Sequence, residues 1–226
     1  MRKFLIKTIA IAVILILLIS NSYVSATNCV FKCSNNKCNK IALTFDDGPH
    51  PKQTKKILNM LDKHCVKATF FAVGVNIELY GDALVEVLNR GHEIGNHTNS
   101  HVVLKSLDKE KIKKEIEGCS KKLFDKIGCT TDLIRPPCGL FDENLIEIAE
   151  DKEMKIILWN IDTCDWNHEL PDKMIKNIIK NVKGGDIILF HDYISGKNGT
   201  VEVLDTIIPI LKNKGFEFVT VSELLN

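Results

Sequence analysis

The sequence predicts an α/β domain on a parallel sheet, closed or nearly closed into a barrel, with an open doubly wound sheet as the alternative. Three observations lead there. Seven short runs of apolar, β-branched or aromatic residues recur, with segments of helical period between them. The runs are continuously apolar rather than alternating, which suits strands buried on both faces of a parallel sheet. No low-complexity linker divides the chain, so a single domain accounts for it.

The elements follow in order. Ile41–Phe45 is the first run, and Gln53–Lys63 places Ile57, Leu58 and Leu61 on one helical face. Ala68–Val73 is the second run, Ala83–Asn89 a helix, and His92–Gly95 the third run. A long helix over Asp108–Ile127 stops at Gly128 and leads to the short run Leu133–Ile134. Asp142 can cap a helix carrying Leu145, Ile146 and Ile148, before the run Ile156–Trp159. Pro171 suits a first helical position, with Met174, Ile175, Ile178 and Ile179 behind it and Gly184 as terminator. After the run Asp186–Phe190, Thr200 can cap a last helix that contains Pro209 and ends before Gly215. Pro209 removes a backbone donor and should kink that helix. Phe216–Val221 is the seventh run.

The N-terminus belongs to another category. Arg2, Lys3 and Lys7 precede the apolar run Ile9–Ile19, and Val24-Ser25-Ala26 offers a small residue for cleavage. Residues 1–26 thus read as a secretory signal peptide, with an uncleaved anchor as the minor alternative. Secreted or cell-wall/membrane-associated extracellular localisation is expected, with no other membrane segment. Residues 27–39 form a cysteine-containing arm, and residues 40–226 the domain. Removing three basic residues takes the formal net charge from +1 to −2. That balance disfavours nucleic acid as a partner, and a monomer is expected. The eight cysteines allow disulfides in an exported chain, in about a hundred connectivities. The cluster Cys29, Cys33, Cys38 lacks zinc-finger spacing and reads as disulfide material or free thiols in an irregular arm. No glycine-rich dinucleotide fingerprint or P-loop follows a strand.

Polar residues with chemical capacity fall at the carboxyl ends of these runs. Asp46 and Asp47 follow the first, His97 and His101 the third, Arg135 the fourth, Asp162 and Asp165 the fifth, His191 and Asp192 the sixth. In βα barrels that rim carries the active site. Two adjacent carboxylates at a buried strand end repel each other unless a metal or a catalytic role compensates them. Alone they also suit a solvated turn. His97 and His101, four apart, would with one carboxylate complete a two-histidine, one-carboxylate site of the kind used by zinc hydrolases and non-haem iron oxygenases; alone, the pair better suits two exposed loop histidines.

Five motifs, in order, carry a resemblance: Thr44–Pro49 (TFDDGP), His97–His101 (HTNSH), Arg135–Gly139 (RPPCG), Asp162–Trp166 (DTCDW) and Leu189–Asp192 (LFHD). The chain resembles the polysaccharide deacetylases of the NodB-homology type, carbohydrate esterase family 4, from Lys40 to Leu225. The resemblance implies a distorted (β/α)7 barrel and metal-dependent removal of N-acetyl groups from an amino-sugar polymer. It implies Asp47, His97 and His101 as ligands of a divalent metal, Zn2+ most often. Asp46 then matches the general base, Arg135 the group that orients it, His191 the general acid, and Asp165 the carboxylate that keeps His191 charged. Trp166 and Leu189 match an apolar wall around the acetyl methyl. Cys138 stands where most relatives carry an aromatic residue, and its backbone N–H matches an oxyanion donor.

The implied substrate is a cell-wall or chitin-type glycan. A non-catalytic glycan-binding relative and a C–N hydrolase acting on a small amide are the alternatives. Asp162 and Asp192 receive no catalytic role. Cys138 and Cys164, on adjacent strand ends, raise a disulfide against two separate thiols. Asn96-His97-Thr98 and Asn198-Gly199-Thr200 match the glycosylation sequon, the first by coincidence with a metal ligand.

Overall fold

The computed structural model describes residues 29–30, 39–194, 196 and 199–226. The signal peptide, Cys33, Cys38 and Asn198 lie outside the described residues. The strands are β1 (Cys29–Val30), β2 (Lys40–Asp46), β3 (Thr69–Ala72), β4 (Glu93–Asn96), β5 (Leu133–Ile134), β6 (Lys155–Ile157), β7 (Ile161–Asp162), β8 (Ile187–His191) and β9 (Glu217–Val219). The helices are α1 (Gln53–Lys63), α2 (Gly74–Asn89), α3 (Lys109–Ile127), α4 (Glu143–Asp151), α5 (Pro171–Asn181), α6 (Thr200–Asn213) and α7 (Val221–Leu225).

All pairings are parallel, in the order β1-β6-β5-β4-β3-β2-β8-β7. β9 joins the start of β2, at Lys40–Ala42, while β3 pairs further along at Thr44–Asp46. The sheet curls into a distorted (β/α)7 barrel of one domain, as expected. Among the described residues no pairing joins β7 to β1, so the wall stays open there.

Period-two alternation along β2 sets the interior. Ile41, Leu43 and Phe45 pack outward with Ile57, Leu58 and Leu61 of α1 and the apolar faces of α5 and α6. Ala42 belongs to a separate cluster with Phe71, Leu133, Ile157 and Ile187, closed by Val221 and Leu224 of α7. Thr44 and Asp46 share the inward side with Ala42. The barrel is therefore apolar at its base and polar at its carboxyl rim.

Several boundaries differ from the sequence expectation. β1 lies in the arm expected to be irregular and pairs with β6. α2 begins at Gly74, nine residues before the expected start; Tyr80 leaves helical geometry (φ −134°), so an additional helical stretch joins the expected one across a kink. α5 ends at Asn181, ahead of Gly184. Thr200 is the first residue of α6 rather than its cap, since its hydroxyl is committed to Asp165. α6 continues through Pro209 to Asn213. Asp142 caps α4 as expected, accepting from the N–H of Asn144, and Asp108, expected as the first residue of α3, is instead its cap and accepts from the N–H of Lys111.

Candidate active site

The rim at the carboxyl end of the barrel gathers the expected residues. Register does most of this: Asp46 lies opposite His191 across β2 and β8, and opposite Phe71 across β3. Partners in parallel register project to the same side, so Asp46 and His191 stand next to each other on the inner face.

Arg135 occupies the barrel centre and is fully buried. Its Nη1 donates to Asp46 Oδ1 (2.7 Å) and Thr44 Oγ1 (2.8 Å). Its Nε and Nη2 donate to the carbonyls of Ile157 (3.2 Å) and Leu158 (3.1 Å). The guanidinium carbon lies 4.1 Å from the Phe71 ring centroid and 5.6 Å from that of Trp159. Burial lowers its pKa, opposed by Asp46. A buried ion pair needs this full set of partners to offset desolvation.

Asp47 faces the other way. Its φ of 74° is left-handed, and Asn76 Nδ2 holds its carbonyl at 2.7 Å. Its Oδ1 lies 3.3 Å from His97 Nε2 and 3.0 Å from His101 Nε2. Burial raises its pKa, but the imidazoles of His101 and His97 outweigh this and hold the carboxyl well below the usual range. His97 Nδ1 lies 2.7 Å from the carbonyl of Arg135. A carbonyl only accepts, so in the neutral ring Nδ1 carries the proton and Nε2 presents a lone pair. One donor atom from each of Asp47, His97 and His101 lies within 4.8 Å of the others. Asp47 Oδ1 is buried with no hydrogen-bond donor aligned on it. This donor set fits a divalent cation with open positions.

His191 completes the rim. Its Nδ1 meets Asp165 Oδ1 at 2.8 Å, while Asp165 Oδ2 accepts from the His191 N–H (2.9 Å) and Thr200 Oγ1 (2.8 Å). Burial alone would lower the imidazole pKa. The Asp165 hydrogen bond and charge reverse this and push it up to about 9. At neutral pH the ring is an imidazolium.

A cleft of about 310 Å³ opens over these groups, lined by Asp46, Asp47, His97, His101, Cys138, Trp159, Asp162, Trp166, Leu189 and His191. Arg135 and Asp165 lie behind its wall. Leu189 is buried, whereas Trp166 is 52% exposed and lies with its Nε1 3.4 Å from Asp162 Oδ2. Trp159 and Asp162 are additions to the expected site. Trp159 read in sequence as the last residue of a strand, and nothing in its apolar run marked it as facing the cleft. Cys138 and Cys164 are both free, which corrects the disulfide between them. The strands they follow are not neighbours: Cys138 comes after β5, which pairs with β4 and β6, and Cys164 after β7, which pairs with β8 at the far edge of the sheet.

Comparison with known proteins adds four findings. The polysaccharide deacetylase family model matches residues 34–157. A peptidoglycan-N-acetylglucosamine deacetylase of Bacillus cereus is 38% identical over 187 residues, covering 82% of this chain and 87% of that one. Among solved structures, the Bc1960 peptidoglycan N-acetylglucosamine deacetylase, in complex with 4-naphthalen-1-yl-N-oxidanyl-benzamide, superposes with a TM-score of 0.86 at 36% identity, covering 90% and 95% of the two chains. A CE4 family pseudoenzyme from Bacillus anthracis superposes with a TM-score of 0.83 at 27% identity, covering 89% and 70%. The ordered motifs, the curled parallel barrel and these matches together place the chain in the polysaccharide deacetylase family.

Proposed function

We propose that the protein is a secreted, metal-dependent N-deacetylase of N-acetylglucosamine-containing cell-wall glycan, with peptidoglycan ahead of chitin oligomers. One observation carries the reading: two adjacent carboxylates have different partners. Asp47 meets two imidazoles, and Asp46 meets a guanidinium. The similarity to enzymes named peptidoglycan-N-acetylglucosamine deacetylases supports the polymer, and the basic, apolar, small-residue N-terminus supports export.

A divalent cation held by Asp47, His97 and His101, with zinc the expected ion, would lower the pKa of water and polarise the acetamide carbonyl. Asp46 has one oxygen fixed on Arg135, while Oδ2 lies 3.8 Å from His97 Nε2, on the side of the ligand cluster. It is placed to take a proton from the attacking water. His191 spends Nδ1 on Asp165, which leaves Nε2 to deliver a proton to the departing amine. Leu189, Trp166 and Trp159 form the apolar part of the wall against which the acetyl methyl can pack. Cys138 lines the same cleft, where its backbone N–H is the proposed oxyanion donor.

The test is acetate release from peptidoglycan and from chitooligosaccharides, with and without chelator. Asp46→Asn is expected to abolish release while zinc still binds, and His97→Ala to lose both. Near-full turnover by Asp46→Asn overturns the base assignment. A pseudoenzyme among the structural neighbours motivates a second reading, a glycan-binding protein without turnover. That reading wins if the zinc-loaded wild type binds glycan and releases no acetate.

A further inference from the structure

His97 and His101 sit on a loop whose backbone is strained. Thr98 (φ 67°) and His101 (φ 58°) both occupy the left-handed region. This conformation is costly outside glycine, most of all for a β-branched residue, and persists only where the surroundings impose it. The restraints divide unequally between the two histidines.

The His97 end is held from several directions. Its ring is fixed by the Arg135 carbonyl, and its N–H donates to Ala72 O at 3.0 Å. The preceding Asn96 binds α3 through Ile116 O (2.9 Å) and Ser120 Oγ (3.0 Å), and accepts from the Thr98 N–H at 2.8 Å. In the middle, the N–H groups of Gly74 and Val75 donate to the carbonyls of Thr98 and Asn99.

The His101 end has less. Its side chain is 40% exposed. Beyond Asp47, no hydrogen bond or ion pair among the described residues holds the ring. Its N–H reaches Thr98 Oγ1 at 3.1 Å. The residue before it, Ser100, is gripped twice by Glu115 of α3: the N–H donates to Oε2 and the Oγ–H to Oε1, each at 2.8 Å.

We propose that Glu115 is a positioning residue for the metal site, holding His101 through Ser100. The inference rests on the reading of Asp47, His97 and His101 as cation ligands. Glu115 lies outside all five motifs. Two bonds from one carboxylate to two atoms of one residue fix both its place and its rotation. The strained backbone of His101 is thereby set before a cation arrives. Without the clamp, the ring must be ordered at the moment of binding, and that cost appears in the cation affinity.

Zinc affinity, measured by competition with a chromogenic chelator, tests this alongside the thermal midpoint of the chelator-treated protein. Glu115→Ala is expected to weaken zinc binding about tenfold, the lower end of supporting-residue effects, without lowering the metal-free midpoint appreciably. Glu115→Gln, which can accept from the Ser100 N–H and donate to its hydroxyl, should restore most of the affinity. Glu117→Ala, on the same helix but paired with Lys152, should leave it unchanged. Ser100→Ala added to Glu115→Ala should weaken binding no further than Glu115→Ala alone. Wild-type zinc affinity in Glu115→Ala overturns the clamp and leaves the metal reading standing, whereas a wild type that binds no zinc overturns both. Should Glu115→Ala fail to fold, Ser100→Ala alone decides: about two- to threefold weaker binding supports the clamp, and unchanged binding overturns it.

Discussion

Asp165 receives three donors and lends its charge to one imidazole. His191 therefore keeps its proton until the pH rises through about 9, and loses it above. Deacetylation should fall along that basic limb. Asp165→Asn removes the charge while keeping a carbonyl acceptor, so the limb should move to lower pH by about one unit or more. A profile of kcat against pH checks this, and an unmoved limb would assign it to another group. Arg135 offers a second test. Lysine cannot reproduce donors aimed at Asp46, Thr44, Ile157 and Leu158 together. Arg135→Lys should destabilise the fold by about 3 kcal/mol, the low end for breaking a buried pair, as read from denaturant melts. The role of Arg135 was legible in sequence only through the resemblance. Its carbonyl contact with His97 was not, because no sequence pattern reports which backbone oxygen an imidazole will find.

Among the elements, the Asp142 cap was legible because it stands directly before an apolar period, whereas Asp108 was read as the first residue of its helix and is the cap. Asp108→Ala should destabilise the protein by about 1 kcal/mol and leave acetate release per folded molecule unchanged, because Asp108 does not line the cleft. A matching loss of kcat would contradict this. Gly48 behaves differently. A Cβ there would stand 2.2 Å from Asp192 Oδ2, a buried carboxylate that also accepts from Thr54 Oγ1 at 2.5 Å. Gly48→Ala must displace one of them, and the nearest backbone free to move carries Asp46 and Asp47. Activity should fall sharply, and Asp192→Gly in the same chain should restore part of it. The sequence marked Gly48 as a turn residue. It could not show that the space beside it belongs to the residue that follows β8. β1 and β7 are two residues long and show no period; β5, equally short, was legible only by its place between two helical segments.

Across the whole molecule, the barrel was legible because its strands are uniformly apolar and their polar residues fall at one end. The open wall between β7 and β1 was not, since closure depends on pairings between distant short segments. The folded state also responds to pH as a unit. Burial pushes the Asp192 carboxyl up to about 7, with the charges of Asp47 and Asp46 acting in the same direction against the Thr54 hydrogen bond. The folded chain thus retains a proton that the unfolded chain releases near its ordinary value of 3.8. The Asp192 contribution to stability falls as pH rises between about 4 and 7, whereas His92, whose pKa burial lowers to about 4, contributes in the opposite sense up to its ordinary value of 6.5. Urea melts of chelator-treated wild type and Asp192→Asn isolate the first: the stability of wild type relative to Asp192→Asn should decline across this window. A difference between the two that stays level with pH would contradict the burial argument.

One residue at the end of β5 touches both halves of the rim. The main-chain oxygen of Arg135 sets the tautomer of His97, and its side chain holds Asp46. Thermal displacement of that strand end carries the two anchors in the same direction. Such motion is common-mode: it shifts the base and the ligand together and leaves the spacing between them nearly intact. Fluctuations that separate them must instead bend Arg135 itself, whose side chain is packed against Phe71 and tied to β6 and the residue that follows it. The distance that matters for chemistry is therefore kept by the covalent frame of a single amino acid.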